Sequence, residues 1–216
     1  MPSVSTYDFI KIKIASMEYA PGKHFSEMDI AKELGIPRRK VREAFSLLEQ
    51  DNLVQIFPQR CTTICKLELT NILDSIFIVR SILIAIIKDL DLHQTDIKKT
   101  IVQAKEHLAT IDSDVKFSDL DFFKADNHFY STLTGLNGFP RLNQIIFNAK
   151  LNIDRTLRLS IGRRADYIAI SKLYDRVLDG LIEDAADKSI KAICELSSLL
   201  ENHANIAVKV HPSLFK

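Results

Sequence analysis

Apolar positions near the start of the chain recur at helical spacing. Tyr7, Ile10, Ile14 and Met17 mark one face of a first helix, which Pro21-Gly22 ends. Ile30, Ala31 and Leu34 make a second stripe, with Glu27, Lys32 and Glu33 turned to water. Ser26 precedes this stripe and Asp29 follows three residues later, a capping box with Asp in place of Glu. Gly35 stands where a left-handed residue stops a helix without steric cost. Pro37 opens the next helix at its first position, where a missing N–H has no intrahelical use, and Val41, Ala44, Phe45 and Leu48 carry its stripe. The period then changes to two. Residues 53–56 and 62–65 read as short strands around a turn at 57–61. Beyond Glu68 no hairpin signal recurs, and helices are expected at 69–91, 94–111, 116–134, 139–161, 164–183 and 186–208. Gly135 and Asn137-Gly138 close the third of these, and Pro140 starts the fourth.

The pattern predicts a mostly α protein: an N-terminal winged helix-turn-helix at 1–68, then an antiparallel all-helical bundle at 69–216, with a hinge at residues 66–70. The stretch 72–92 is apolar, but Asp74, Arg80, Lys88, Asp89 and Asp91 interrupt it, so a buried helix is expected in place of a membrane span. Ile72, Leu73, Ile76, Phe77, Val79, Leu83, Ile86 and Ile87 cover most of its circumference, as burial on two sides requires, the second against another subunit.

Charge sharpens the picture locally. The formal net charge of 216 residues is only +1, so nothing draws the whole molecule to nucleic acid. Yet Arg38, Arg39, Lys40 and Arg42 crowd the first turns of the helix after Pro37, against the positive end of its dipole. A basic run alone is usually a solvated face. Beside a hairpin tipped by Gln59 and Arg60, and with Thr62 beginning its return strand, the run reads as a recognition helix for double-stranded DNA. One such helix meets few bases, so a homodimer on a palindromic operator is expected. Three cysteines without paired spacing, and no leader before the first helix, fit a reduced cytoplasmic protein. No HExxH, P-loop or GxSxG motif points to an enzyme. The contrasting reading is a helical interaction protein, or an enzyme's accessory subunit, whose winged unit binds protein.

Residues 10–64 resemble the N-terminal domain of the GntR superfamily of bacterial transcription regulators. The matching pieces are Ala20-Pro21-Gly22, Phe25-Ser26-Glu27, Ile30-Ala31, Leu34-Gly35, Val41-Arg42-Glu43-Ala44 and Pro58-Gln59-Arg60. Pro37-Arg38-Arg39-Lys40 stands where relatives read Ser-Arg-Thr-Pro, and Cys61 where they carry a wing-tip glycine. The helical half resembles the FadR-type effector-binding domain (FCD), anchored on Asp126 to Tyr130, Leu133, Asn137 and Pro140-Arg141-Leu142. The resemblance implies a small-molecule effector. Fatty acyl thioesters, sugar acids and small carboxylates all remain open. Many relatives also bind a divalent metal there through an Asp and three histidines. Asp126 is kept, but Tyr130 and Tyr174 stand at two histidine positions, and the third falls near Leu196, with His203 two turns on. A phenol loses its proton only at about pH 10, so no metal is expected. Arg80, Asp126, Tyr130, Tyr174 and Arg158 are the candidate effector residues, with Tyr130 and Tyr174 either turning hydroxyls into an open cavity or closing it as packed core, and Arg80 either a partner of Asp126 or a reader of a carboxylate ligand. Arg155 is a further candidate, at least one of Arg155 and Arg158 being expected on a solvated face.

Overall fold

The computed structural model describes residues 5–91, 95–113, 118–136, 138–162 and 164–216. Asn137, and the helix starts expected at 94 and 116, lie outside the described residues.

Helix α1 (Thr6–Ala15) is capped by Ser5, whose hydroxyl accepts the Asp8 N–H at 3.1 Å, and it buries Ile10 and Ile14. It ends earlier than expected. Met17 takes a left-handed φ of 64°, so the chain has left the helix before Pro21-Gly22. Helix α2 (Glu27–Leu34) begins on the reciprocal capping box: Asp29 N–H donates to Ser26 Oγ at 3.1 Å, and Ser26 N–H to Asp29 Oδ2 at 2.9 Å. Gly35, at φ 64°, stops it. Helix α3 runs Arg38–Gln50, with Pro37 as N-cap, one place earlier than the first helical position expected of it.

Strands β2 (Val54–Phe57) and β3 (Cys61–Ile64) form the wing hairpin, shifted by one residue from the sequence expectation. A third strand the pattern did not show, β1 (His24–Phe25), pairs antiparallel with β3, giving the order β1-β3-β2. Two residues are too few to display a period.

The six later helices are α4 (Leu69–Asp89), α5 (Thr95–Ser113), α6 (Asp119–Leu136), α7 (Pro140–Ser160), α8 (Arg164–Ile182) and α9 (Ala186–Val210). Helix α6 passes through Gly135 and stops at Leu136, so that glycine does not end it; Pro140 does open α7. Gly180 on α8 is needed for close packing, because a Cβ there would stand 2.3 Å from Ser189 Oγ and 2.8 Å from its backbone nitrogen on α9. Helix α4 is long and apolar enough to cross a membrane by length and composition. Here it packs against α9 and α7 through Ile72, Ile76, Val79, Leu83, Ile86 and Ile87, while Leu73 and Phe77 face outward.

Two apolar clusters result. One joins the winged elements, and the other fills the bundle. Leu151 of α7 crosses over: it packs into the winged cluster and is 6% exposed. A short 3-10 turn, Pro212–Leu214, brings the following residues back to the linker, where Phe215 bridges Leu67 in parallel and Lys216 N–H donates to Leu67 O at 2.9 Å.

Candidate nucleic-acid interface and a buried polar cluster

The start of α3 holds no acidic residue, and Pro37 offers it no side-chain cap, so Arg38, Arg39 and Lys40 stand at the positive end of its dipole with no carboxylate of that turn to offset them. The side chains of Arg38, Arg39 and Arg42 are 60%, 87% and 65% exposed, and Lys40 is exposed with them. Their charges are matched at home. Arg42 grips Glu27 of α2 with two parallel bonds, Nε to Oε1 at 2.7 Å and a terminal nitrogen to Oε2 at 2.8 Å. Arg38 reaches the same carboxylate at 3.4 Å, and Arg39 Nε donates to Glu43 at 2.8 Å. The bond from Arg42 holds the Glu27 carboxyl below the usual range.

Opposite this carboxylate stands the wing. Gln59 adopts φ 60°, a left-handed turn made without glycine, and Arg60 N–H closes it onto Phe57 O at 3.0 Å. Glu49 of α3 accepts the Ile56 N–H at 2.7 Å and ties the hairpin to the helix. Between α3 and the wing lies a notch of about 340 Å³, walled by Glu27, Arg38, Arg42, Gln59, Arg60 and Thr62. Gln59 and Arg60 are exposed at the tip, whereas Thr62 is set into the wall at 4% exposure.

In the bundle, the side chains expected to line an effector site do meet in part. Asp126 of α6 is 1% exposed and accepts from Lys150 of α7 and Tyr174 of α8. Lys150 also donates to Asp154 Oδ1 at 2.7 Å, and its ammonium lies 4.4 Å from the centre of the Tyr130 ring. Phe129 stacks on Tyr174 at 4.1 Å. Burial raises the phenols of Tyr130 and Tyr174, so both stay protonated. Burial also opposes charge on Lys150, but Asp126 and Asp154 outweigh it and keep the ammonium protonated. Burial pushes the Asp154 carboxyl up to about 6, against the pull of Lys150.

The cation on Asp126 is therefore Lys150, not Arg80. Arg80 is half-buried and leans over the Phe77 ring, 5.2 Å from its centre. Arg158 is half-buried and lies 3.7 Å over the Phe123 ring. Arg155 is 1% exposed, so neither arginine occupies a solvated face. Among the described residues, no three His, Cys, Asp or Glu side chains gather into a group that could hold a metal ion. Sequence reasoning missed Lys150 and Asp154. Their signal was present: Lys150 interrupts the apolar stripe Ile146, Ile153 and Leu157 at helical spacing, which marks it as an inward charge in need of a partner.

Comparison with known proteins agrees with this geometry. Residues 2–64 match the family model for bacterial regulatory proteins of the gntR family. Over a longer span, the chain is 25% identical across 179 residues to an HTH-type transcriptional regulator in an unstable DNA locus of Streptomyces ambofaciens, spanning 81% of this chain and 74% of that protein. It is 28% identical over 154 residues to the HTH-type transcriptional repressor RspR of Escherichia coli, spanning 71% and 67%. The fold is that of a GntR regulator from Rhodococcus (TM-score 0.71, 20% identity, 95% and 96% of the two chains) and of E. coli McbR/YncC (TM-score 0.73, 16% identity, 97% and 99%). With a basic helix and wing at one end and HTH-type transcription regulators as its relatives, the chain carries at residues 2–64 a DNA-binding helix-turn-helix domain of the kind found in the gntR family of bacterial regulatory proteins.

Proposed function

We propose that the protein is a FadR-type (FCD) member of that family, a cytoplasmic homodimer that reads a palindromic operator and responds to a small carboxylate or acyl metabolite. The reading divides the chain into a DNA-binding unit at 1–68 and an effector-binding and dimerisation unit at 69–216. The observation that carries it is the outward cluster of Arg38, Arg39, Lys40 and Arg42 beside the wing notch. DNA phosphates or guanine edges replace Glu27 and Glu43 as partners of these cations, with Gln59 and Arg60 completing the contact from the wing tip and the buried Thr62 backing them in the notch wall. Dimerisation is supported by Leu73 and Phe77 on the outward face of α4, which are 36% and 59% exposed. Effector sensing is supported by the polar cluster of Asp126, Tyr130 and Tyr174, with Arg158 near it; Arg80, which leans over Phe77, is the further candidate to read an acid. An effector acts by binding unequally to DNA-competent and incompetent arrangements of the two winged units.

A gel-shift titration with promoter fragments, run across salt concentrations for wild type and an Arg38→Ala/Arg42→Ala double variant, tests the DNA-reading claim. The double variant is expected to bind much more weakly, with its salt slope reduced by about two. Equal binding by both proteins at every salt concentration would falsify the assignment of these residues.

A further inference from the structure

Helix α7 carries two buried cations on different faces, and only one of them has a countercharge. Lys150 is matched by Asp126 and Asp154. Arg155, equally deep at 1% exposure, donates one terminal nitrogen to Cys65 O at 3.0 Å and the other to Asn152 Oδ1 at 3.3 Å, while its Nε has no partner. Among the described residues no carboxylate meets it. Both acceptors are neutral, which leaves a guanidinium desolvated without charge compensation, a costly arrangement in a folded protein. Burial lowers its pKa to about 10, so it remains cationic at neutral pH.

Arg155 lies in the wall of a cleft of about 470 Å³ at the joint between the winged unit and the bundle, lined also by Cys65, Lys66, Asn71, Ser75 and Asn152. The cleft has acidic walls too, but two of its three carboxylates are already held. Asp51 accepts from Tyr7 and Lys11, and Glu68 from Lys216 and Asn71. Asp74 is left against the exposed Lys66 and the buried Arg155, so the balance is positive. The Asn152 amide, whose Oδ1 accepts from Arg155, stands beside the fork with its N–H donors, while the Ser75 hydroxyl is given to Asn71 O at 2.7 Å.

We infer that this joint is a binding site for a small oxyanion, a carboxylate or phosphate group, anchored by Arg155 with Lys66 at its mouth. A guanidinium matches such groups by paired N–H bonds, and here the bond would form away from bulk water, where it is strong. The site is separate from the Asp126 cluster and from the wing notch. Its position gives it a consequence. Arg155 already holds the linker through Cys65 O, so an anion on the same fork would fasten α7 to residues 65–66 and fix how the winged unit sits on the bundle.

Thermal unfolding of the full chain near neutral pH, at fixed ionic strength, with chloride replaced in one arm by inorganic phosphate and in another by succinate, tests this without DNA. Wild type is expected to gain several degrees of Tm, saturably, in at least one arm. The arm that responds identifies the source of the oxyanion. Arg155→Met should abolish the response and melt in chloride no lower than wild type, because it removes a lone buried charge. Lys66→Glu, an exposed substitution that leaves the core intact, should keep the chloride Tm and raise the half-saturating concentration about tenfold. No saturable response in wild type, or an undiminished one in the variants, overturns the site. So does an Arg155→Met protein that merely loses an oligomer present in wild type, which would assign the fork to a carboxylate of a second copy.

Discussion

Glu27 in the winged unit and Asp126 in the bundle each hold a cation from a neighbouring helix, in opposite surroundings. The arginine on Glu27 is 65% exposed, while Lys150 and Asp126 are each 1% exposed. In water, a pair of the first kind contributes little to stability and exchanges readily for another anion. In the interior, breaking a pair of the second kind strands a charge that nothing solvates. The chain thus uses one chemistry for two ends: an exposed set of guanidiniums, which the proposed function hands to DNA, and a buried ammonium that pins α6, α7 and α8 together.

The largest expected effect breaks the buried side of this contrast. Lys150→Ala leaves Asp126 with only the Tyr174 hydroxyl and should cost about 3–5 kcal/mol in urea unfolding. A loss under about 1 kcal/mol would place Asp126 in contact with water, and the contrast would disappear. Next comes the exposed side. Arg42→Ala should leave unfolding nearly unchanged but weaken operator binding by about 1–3 kcal/mol, read by fluorescence anisotropy.

Asp154 sharpens the comparison through pH. Its folded pKa of about 6 lies above that of an unfolded aspartate, so the folded state binds the proton more tightly. Its stabilising contribution is complete below the unfolded value and is lost as pH rises through about 6. Asp154→Asn should therefore gain on wild type between about pH 4 and pH 7, by about 1–2 kcal/mol, since the side chain keeps 15% exposure and water screens part of the shift. A constant difference between the two proteins across that window would exclude the shift. The smallest effect is expected from Glu27→Gln. Freeing Arg42 and Arg38 should tighten binding to random-sequence DNA by less than about 1 kcal/mol, and weaker binding would make Glu27 a positioning residue for the Arg42 fork.

Where local chemistry decides, the sequence was readable. Gly35, the Ser26/Asp29 box and Pro140 each act through their own backbone, and α2, α3 and α7 begin or end within a residue of where these signals put them. Where distant partners decide, it was not. Strand β1 exists only because β3 pairs with it, and Met17 breaks α1 through a turn that no glycine or proline marks. Asp126, Tyr130 and Tyr174 were found because a family pattern pointed at their positions. Their cation arrives from 24 residues downstream on another helix, and of the two roles open to Arg80 the pairing with Asp126 fails for the same reason: a helical stripe tells which charges turn inward, not which of them meet.

Leu151 has a practical consequence for recombining such regulators. This side chain of α7 completes the apolar cluster built by Ile10, Phe45 and Val54, so the reading head is finished by a residue that comes about a hundred positions later in the chain. A chimera that transplants the first 66 residues onto a foreign bundle must bring a matching plug, or the graft will carry a hole where its own core should close.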